Sequence, residues 1–90
     1  MGVVAAAIQD KLSRALSPTH LVLVDDSARH SGHAGAGDAG ESHFNLLVES
    51  AAFAGLGAVA RQRLVMRILA QELAGPVHSI SIKARAPGEG

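Results

Sequence analysis

Histidine is the residue type through which this sequence could do chemistry. Five histidines occur among 90 residues, and His30, His33 and His43 all fall within one unusual stretch, ARHSGHAGAGDAGESHF (28–44). A neutral imidazole is a common metal ligand, and the three-residue spacing of His30 and His33 can bring two rings together on a turn. Because glycine permits many backbone conformations, the stretch is either a flexible spacer or a site that presents imidazoles to a partner.

The absence of cysteine limits the metal chemistry that this chain can perform alone. Without thiolates it can form neither a disulfide nor a sulfur ligand set. The oxygen donors near the loop histidines are Asp25, Asp26, Asp38 and Glu41. No recurrent pair of ligands frames them, so a closed structural zinc site is not expected. A site for a soft metal would need sulfur from a partner protein.

Two of the histidines lie at the starts of predicted strands. His78 is the second residue of an alternating run at 77–85 and lies on the side of that run that should be apolar. It is either a histidine at the edge of the core, bonded to a carbonyl group, or a metal ligand that emerges at the end of the sheet. His43 follows Glu41 and Ser42, and its simplest interpretation is structural, with Glu41 or a carbonyl group orienting the ring. Ligation by His43 is the second possibility.

Composition and motifs argue against several classes of function. No nucleophile has a plausible histidine and carboxylate context, and no phosphate-binding loop is present, so the sequence does not predict an enzyme. The formal net charge is 0, which argues against a general nucleic-acid binder, because such affinity comes largely from neutralising phosphates. Arg61, Arg63 and Arg67 form either a solvated helix face or a small basic patch for nucleic acid or an anionic partner.

Length and hydropathy favour one small domain. A chain of 90 residues with 2% aromatic residues must build an aliphatic core. The first residues are apolar only to Ile8, without the basic region of a signal peptide or the length of a spanning helix. We therefore expect a cytoplasmic protein with a single domain over residues 1–90 and no membrane partner.

Hydrophobic periodicity predicts the elements that must position these residues. Apolar residues every four positions, ended by Ser17 and Pro18, indicate a first helix. A β-branched run and a strictly alternating run each indicate a strand. Gly75 and Pro76 mark the end of a long helix that precedes the last strand. The predicted elements are a helix at about 3–16, strands at 20–26 and 44–50, a helix at about 57–74 that is either continuous or split into a short and a long piece, and a strand at 77–85.

The order of these elements predicts an α+β fold, with helices on one face of a three-stranded sheet. The first two strands should be antiparallel across a flexible loop at about 28–42, and residues 86–90 should form a frayed tail. The long helix should bury Val59, Leu64, Val65, Ile68, Leu69 and Leu73, and should expose Arg61, Gln62, Arg63, Arg67, Gln71 and Glu72.

Several separated motifs, in the right order, together resemble the BolA family. They cover nearly the whole chain, from Ile8 to about Pro87. The motifs are the D-x-S-x-x-H run (Asp25, Ser27, His30), the E-[ST]-H-F entry (Glu41 to Phe44), the S-x-x-F-x-G turn (Ser50, Phe53, Gly55), the R-x-R-L-V helix (Arg61, Arg63, Leu64, Val65) and the V-H-[AS]-[IL] strand (Val77 to Ile80).

This resemblance implies an α-β-β-α-α-β fold akin to a type II KH domain. It also implies a partner, a monothiol glutaredoxin with a CGFS active site, and a [2Fe-2S] cluster shared with that glutaredoxin and its bound glutathione. The last-strand histidine, His78, would be one ligand. The second would come from the loop: alignment from Ser27 selects His30, whereas counting back from Glu41 fits His33 better.

The resemblance leaves other questions open. The family usually has R-H-R in the long helix, and here Gln62 replaces the histidine. The family is also linked to transcriptional control through a helix-turn-helix-like element, which would use Arg61, Arg63 and Arg67. With zero net charge, DNA binding is the second hypothesis. We expect the isolated chain to be a monomer or weak homodimer that needs no cofactor of its own.

Overall fold

The computed structural model describes residues 2–26 and 41–89. Its element order confirms the predicted α-β-β-α-α-β fold, with the long helical segment divided at Leu69 and an added 3₁₀ turn after the second strand. The elements are α1 (Val3–Leu16), β1 (His20–Asp25), β2 (His43–Glu49), the 3₁₀ turn (Ala51–Phe53), α2 (Ala58–Ile68), α3 (Ala70–Ala74) and β3 (Ser79–Arg85).

The three strands form one mixed sheet in the order β1-β2-β3. As predicted, β1 and β2 are antiparallel, with His20 opposite Glu49 and Asp25 opposite Phe44. The pair β2 and β3 is parallel, with His43 opposite Ser79, which is possible because the two helices supply the long crossover that parallel strands require. This topology brings the end of β1 and the starts of β2 and β3 to the same end of the sheet.

Helices cover one face of this sheet, as the sequence predicts. In β2 the alternate residues Phe44, Leu46 and Val48 are buried, whereas Asn45 on the opposite face is exposed. Val22 and Val24 of β1 also lie on the open face and are 40% and 49% exposed. The buried core is built from Ala5, Ile8, Leu12, Leu16, Phe44, Leu46, Val48, Phe53, Val65, Leu69, Val77 and Ala86.

The predicted faces of the long helix are partly wrong. Val59 was expected in the core but is 63% exposed. Gln62 was expected in solvent, yet it is half-buried and its Nε2 donates to the Ile82 carbonyl at 2.8 Å. Arg61 Nη1 likewise approaches the Ala84 carbonyl at 3.4 Å. The reason is that β3 is an edge strand, so carbonyl groups on its outer side need donors other than a neighbouring strand.

The described end of the chain is also more ordered than the predicted frayed tail. Ala86 is buried, with 5% of its surface exposed, and its N–H donates to Glu89 Oε1 at 3.0 Å. Glu89 in turn forms an ion pair with Arg61. Local contacts and one ion pair with α2 thus hold residues 86–89. The predicted flexible loop lies outside the described residues, apart from its last two positions, Glu41 and Ser42.

Within residues 2–26 and 41–89, none of the helices has the length and apolar character needed to cross a membrane.

Candidate functional site

His78 lies at the end of the sheet where β2 and β3 begin, and its side chain is exposed. This differs from the predicted position of His78 near the start of the last strand, on its apolar face, because β3 begins at Ser79 rather than at Val77. Val77 takes the buried position instead, with 3% of its surface exposed, and its N–H donates to the Glu72 carbonyl at 2.9 Å. His78 is thereby directed to solvent rather than into the core edge.

The structure brings His78 together with His43. The centroids of the two imidazole rings are 6.0 Å apart, and their planes are inclined by 30°. The parallel register explains this proximity, since His43 pairs with Ser79, the residue after His78. The backbone N–H of His78 also donates to the Ser42 carbonyl at 2.8 Å. Two imidazoles therefore lie side by side at one end of the sheet.

The sequence suggested that Glu41 or a carbonyl group orients the ring of His43, and the structure places the Ser42 hydroxyl against it. Ser42 Oγ lies 2.8 Å from His43 Nδ1, and the His43 carbonyl accepts the N–H of Asp26 at 2.7 Å. Glu41 instead reaches α1, where its Oε2 accepts the N–H of Ala5 at 2.9 Å. The two motif residues before β2 thus have different contacts: the Glu41 carboxylate accepts a backbone N–H at the start of α1, and the Ser42 hydroxyl contacts the His43 ring.

The donor set of the described residues is incomplete for a metal ion. Among residues 2–26 and 41–89 there is no group of three or more His, Cys, Asp or Glu that could hold one. Of the oxygen donors considered from sequence, Asp25 accepts the backbone N–H of Glu41 at 3.0 Å, and Glu41 caps α1. His30 and His33 lie outside the described residues, so the choice between them stays a prediction.

The three arginines predicted as a basic patch are not equivalent. Arg61 has a side chain only 15% exposed and an ion pair with Glu89 at 2.6 Å, and the hydrogen bond to Glu89 raises the pKa of Arg61. Its guanidinium group thus has a structural role, as the partner of Glu89. Arg63 and Arg67 of α2 are exposed, and these two remain available to an anionic partner.

Comparison with known proteins gives consistent matches over almost the whole chain. The family model described as BolA-like protein matches residues 12–89. BolA-like protein 1 of Pongo abelii is 45% identical over 89 residues, which cover 99% of this chain and 62% of that protein.

Two solved structures share the fold. The BolA domain of SufE1 from Arabidopsis thaliana has a TM-score of 0.89 at 39% identity, covering 100% of this chain and 99% of that one. The solution structure of BolA1 from Mus musculus has a TM-score of 0.82 at 44% identity, covering 99% of this chain and 69% of that one. The chain spans less than two thirds, 62%, of the length of the Pongo abelii protein.

Proposed function

Because this chain belongs to the BolA-like family, we propose that it is a non-enzymatic partner of a monothiol glutaredoxin of the CGFS type. It supplies histidine ligands to a [2Fe-2S] cluster that the two proteins share, in iron–sulfur trafficking or iron regulation in the cytoplasm. His78 is one ligand, and a loop histidine, His30 or His33, is the other. The glutaredoxin contributes its cysteine and the thiolate of bound glutathione.

The observation that carries this proposal is the exposed imidazole of His78 in a chain without cysteine. A ligand shared between two proteins must be reachable from outside, and His78 is exposed at the end of the sheet beside a second imidazole. Replacement of two cysteine ligands by histidines raises the reduction potential of a [2Fe-2S] cluster.

The test is a titration of cluster-loaded monothiol glutaredoxin with this protein, followed by visible absorption and circular dichroism. We expect a changed cluster spectrum that saturates at one chain per glutaredoxin. His78→Ala should abolish the change. His20→Ala is the matched control, because His20 is also exposed but lies at the other end of the sheet, opposite Glu49. A His78→Ala titration that matched wild type would remove the ligand assignment.

The loop ligand is assigned by the same titration. His30→Ala and His33→Ala should differ, with only one of them giving a spectrum unlike that of the wild-type complex. If both variants matched wild type, the second ligand would come from elsewhere. The NMR signals of the free chain should change only near the substitution, which checks that the fold is retained.

A second candidate function is DNA binding in transcriptional control, favoured by the exposure of Arg63 and Arg67 on α2. It predicts a DNA affinity that falls with salt and is lost in the Arg63→Ala/Arg67→Ala double variant. Arg14, an exposed arginine on α1, provides the control variant Arg14→Ala. No measurable binding at low salt would eliminate this function.

A further inference from the structure

We infer that His43 is a positioning residue for His78. The inference deepens the proposed function and rests on the role of His78 as a ligand. Its basis is the contact between the two rings, with centroids 6.0 Å apart and planes inclined by 30°. His43 belongs to β2 and is half-buried, whereas His78 precedes β3 and is exposed. The half-buried ring of His43 thus lies against the exposed ring of His78.

His43 is itself fixed by contacts on two sides. Its carbonyl accepts the N–H of Asp26 at 2.7 Å, so its backbone is tied to the end of β1. Its Nδ1 lies 2.8 Å from Ser42 Oγ, a contact that restricts rotation of the ring. Because the orientation of an imidazole follows from the hydrogen bond that one of its nitrogens makes, the contact with Ser42 fixes the orientation in which the His43 ring faces the His78 ring.

The backbone of His78 is anchored by the same segment. The Ser42 carbonyl accepts the N–H of His78 at 2.8 Å and that of Ser79 at 3.2 Å. Ser42 therefore fixes where the His78 side chain begins, and the His43 ring limits the directions that it can take. An exposed side chain without such a neighbour would exchange among rotamers, and ordering it on binding would reduce the affinity.

The size of the effect follows from the cost of ordering one side chain. Losing a pre-ordered His78 should weaken formation of the complex by about two- to tenfold. The bound cluster should keep its spectrum, because the same ligand atoms still reach it. This combination of weaker binding and an unchanged end point distinguishes a positioning residue from a ligand.

The experiment compares His43→Ala, which removes the ring, with His43→Phe, which keeps an aromatic ring for packing. The first readout is the NMR spectrum of the free chain with ¹³C-labelled histidine, in which the ring signals and relaxation of His78 report its order. The second is the concentration of chain that half-saturates cluster-loaded glutaredoxin. We expect His43→Ala to disorder His78 and to raise half-saturation about two- to tenfold, and His43→Phe, which keeps the ring but loses the contact with Ser42, to lie between wild type and His43→Ala in both.

Three outcomes would overturn the inference. Unchanged His78 signals and unchanged half-saturation in His43→Ala would show that the ring contact does not order the ligand. An end-point spectrum altered as strongly as that of His78→Ala would make His43 a ligand itself. If the wild-type chain left the glutaredoxin spectrum unchanged, the proposed function would fail, and with it the positioning of a ligand. If the wild-type chain does change the glutaredoxin spectrum, unchanged His78 signals and unchanged half-saturation in His43→Ala would refute only the positioning role of His43.

Discussion

Arg61 and Glu89 form a bidentate ion pair across 28 residues of sequence: Nη1 donates to Oε1 at 2.6 Å, and Nη2 donates to Oε2 at 2.8 Å. The Glu89 Oε1 also accepts the N–H of Ala86 at 3.0 Å, and Arg61 Nε donates to the Leu56 carbonyl at 2.8 Å. Paired charge-assisted hydrogen bonds of this kind are stronger and more directional than a single contact. They join the first turn of α2 to the residues that follow β3.

The first prediction concerns the pH dependence of this ion pair. The hydrogen bond from Arg61, with a smaller contribution from the Ala86 N–H, lowers the pKa of Glu89 from 4.5 to about 2. A carboxyl group with a lowered pKa in the folded state stabilises the fold above its unfolded pKa, and this contribution is lost as pH falls through the folded pKa. We expect Glu89→Gln to lower Tm at pH 7, and the difference from wild type to shrink between about pH 4.5 and about pH 2.

Thermal unfolding followed by circular dichroism across this range measures the effect. Asp10→Asn is the control, because Asp10 is 57% exposed and pairs with the exposed Arg14 on the same helix, a type of pair that contributes little. A Tm difference for Glu89→Gln that persisted unchanged down to pH 2 would contradict the prediction.

The second prediction concerns Ser50, a fully buried polar residue of the core. Its Oγ donates to the Leu16 carbonyl at 2.6 Å and accepts the N–H of Ala52 at 3.1 Å. Ser50→Ala would leave both backbone groups without this partner, so we expect the free energy of unfolding in urea to fall by about 1–3 kcal/mol. Ser81→Ala, on the exposed face of β3, should change it by less than about 0.5 kcal/mol. Equal effects of the two substitutions would refute the buried role of Ser50.

The elements of this fold were predictable because their signals are local. The spacing of Ile8, Leu12 and Leu16 on α1 indicates a helix with one buried side, and these residues are buried as predicted. The alternation of residues 77–85 likewise predicted β3, which begins at Ser79. Faces that depend on tertiary neighbours were less predictable: periodicity marks Gln62 as polar, but its partner is a carbonyl of an edge strand 20 residues away.

The candidate site was predictable in part for the same reason. His78 stands out from its motif, but its proximity to His43 depends on the parallel register of two strands that are distant in sequence. No local sequence pattern specifies that register, because the helices of the crossover separate β2 from β3 in the sequence. The one available signal was that both histidines lie at strand starts. The tail was misjudged similarly, because the partner of Glu89 lies on α2.

The third prediction concerns the cap of α1. Gly2 precedes the helix and has no side chain with which to cap it, and Glu41 supplies the missing acceptor by binding the Ala5 N–H at 2.9 Å. A carboxylate at this position also interacts favourably with the helix dipole. We expect Glu41→Ala to lower the free energy of unfolding by about 0.5–2 kcal/mol, as other lost N-caps do.

Gly2 tests the same contact from the other side. A Cβ at this position would overlap the Glu41 carboxylate, so Gly2→Ala should displace the cap without altering Glu41. Because both substitutions remove one interaction, their effects in urea denaturation should not add: the double variant should resemble Glu41→Ala. Fully additive effects would mean that Gly2 and Glu41 act independently.

The fourth prediction concerns Gln62, at the position where the family resemblance described above implies a histidine. Its Nε2 donates to the Ile82 carbonyl at 2.8 Å, so the physical requirement at this position is a donor that reaches β3. An imidazole N–H can meet this requirement, and we expect Gln62→His to leave the free energy of unfolding within about 0.5 kcal/mol of wild type, as for a conservative change.

Gln62→Leu should lower the free energy of unfolding by about 1–3 kcal/mol, because the Ile82 carbonyl loses its donor. Arg63→Leu, at the exposed neighbouring position, controls for added apolar surface. Since the hydrogen bond from Gln62 reaches Ile82, four residues beyond His78 in the chain, neither substitution should alter the cluster spectrum of the glutaredoxin complex. A changed spectrum in Gln62→His, with stability retained, would instead mean that this position tunes the site.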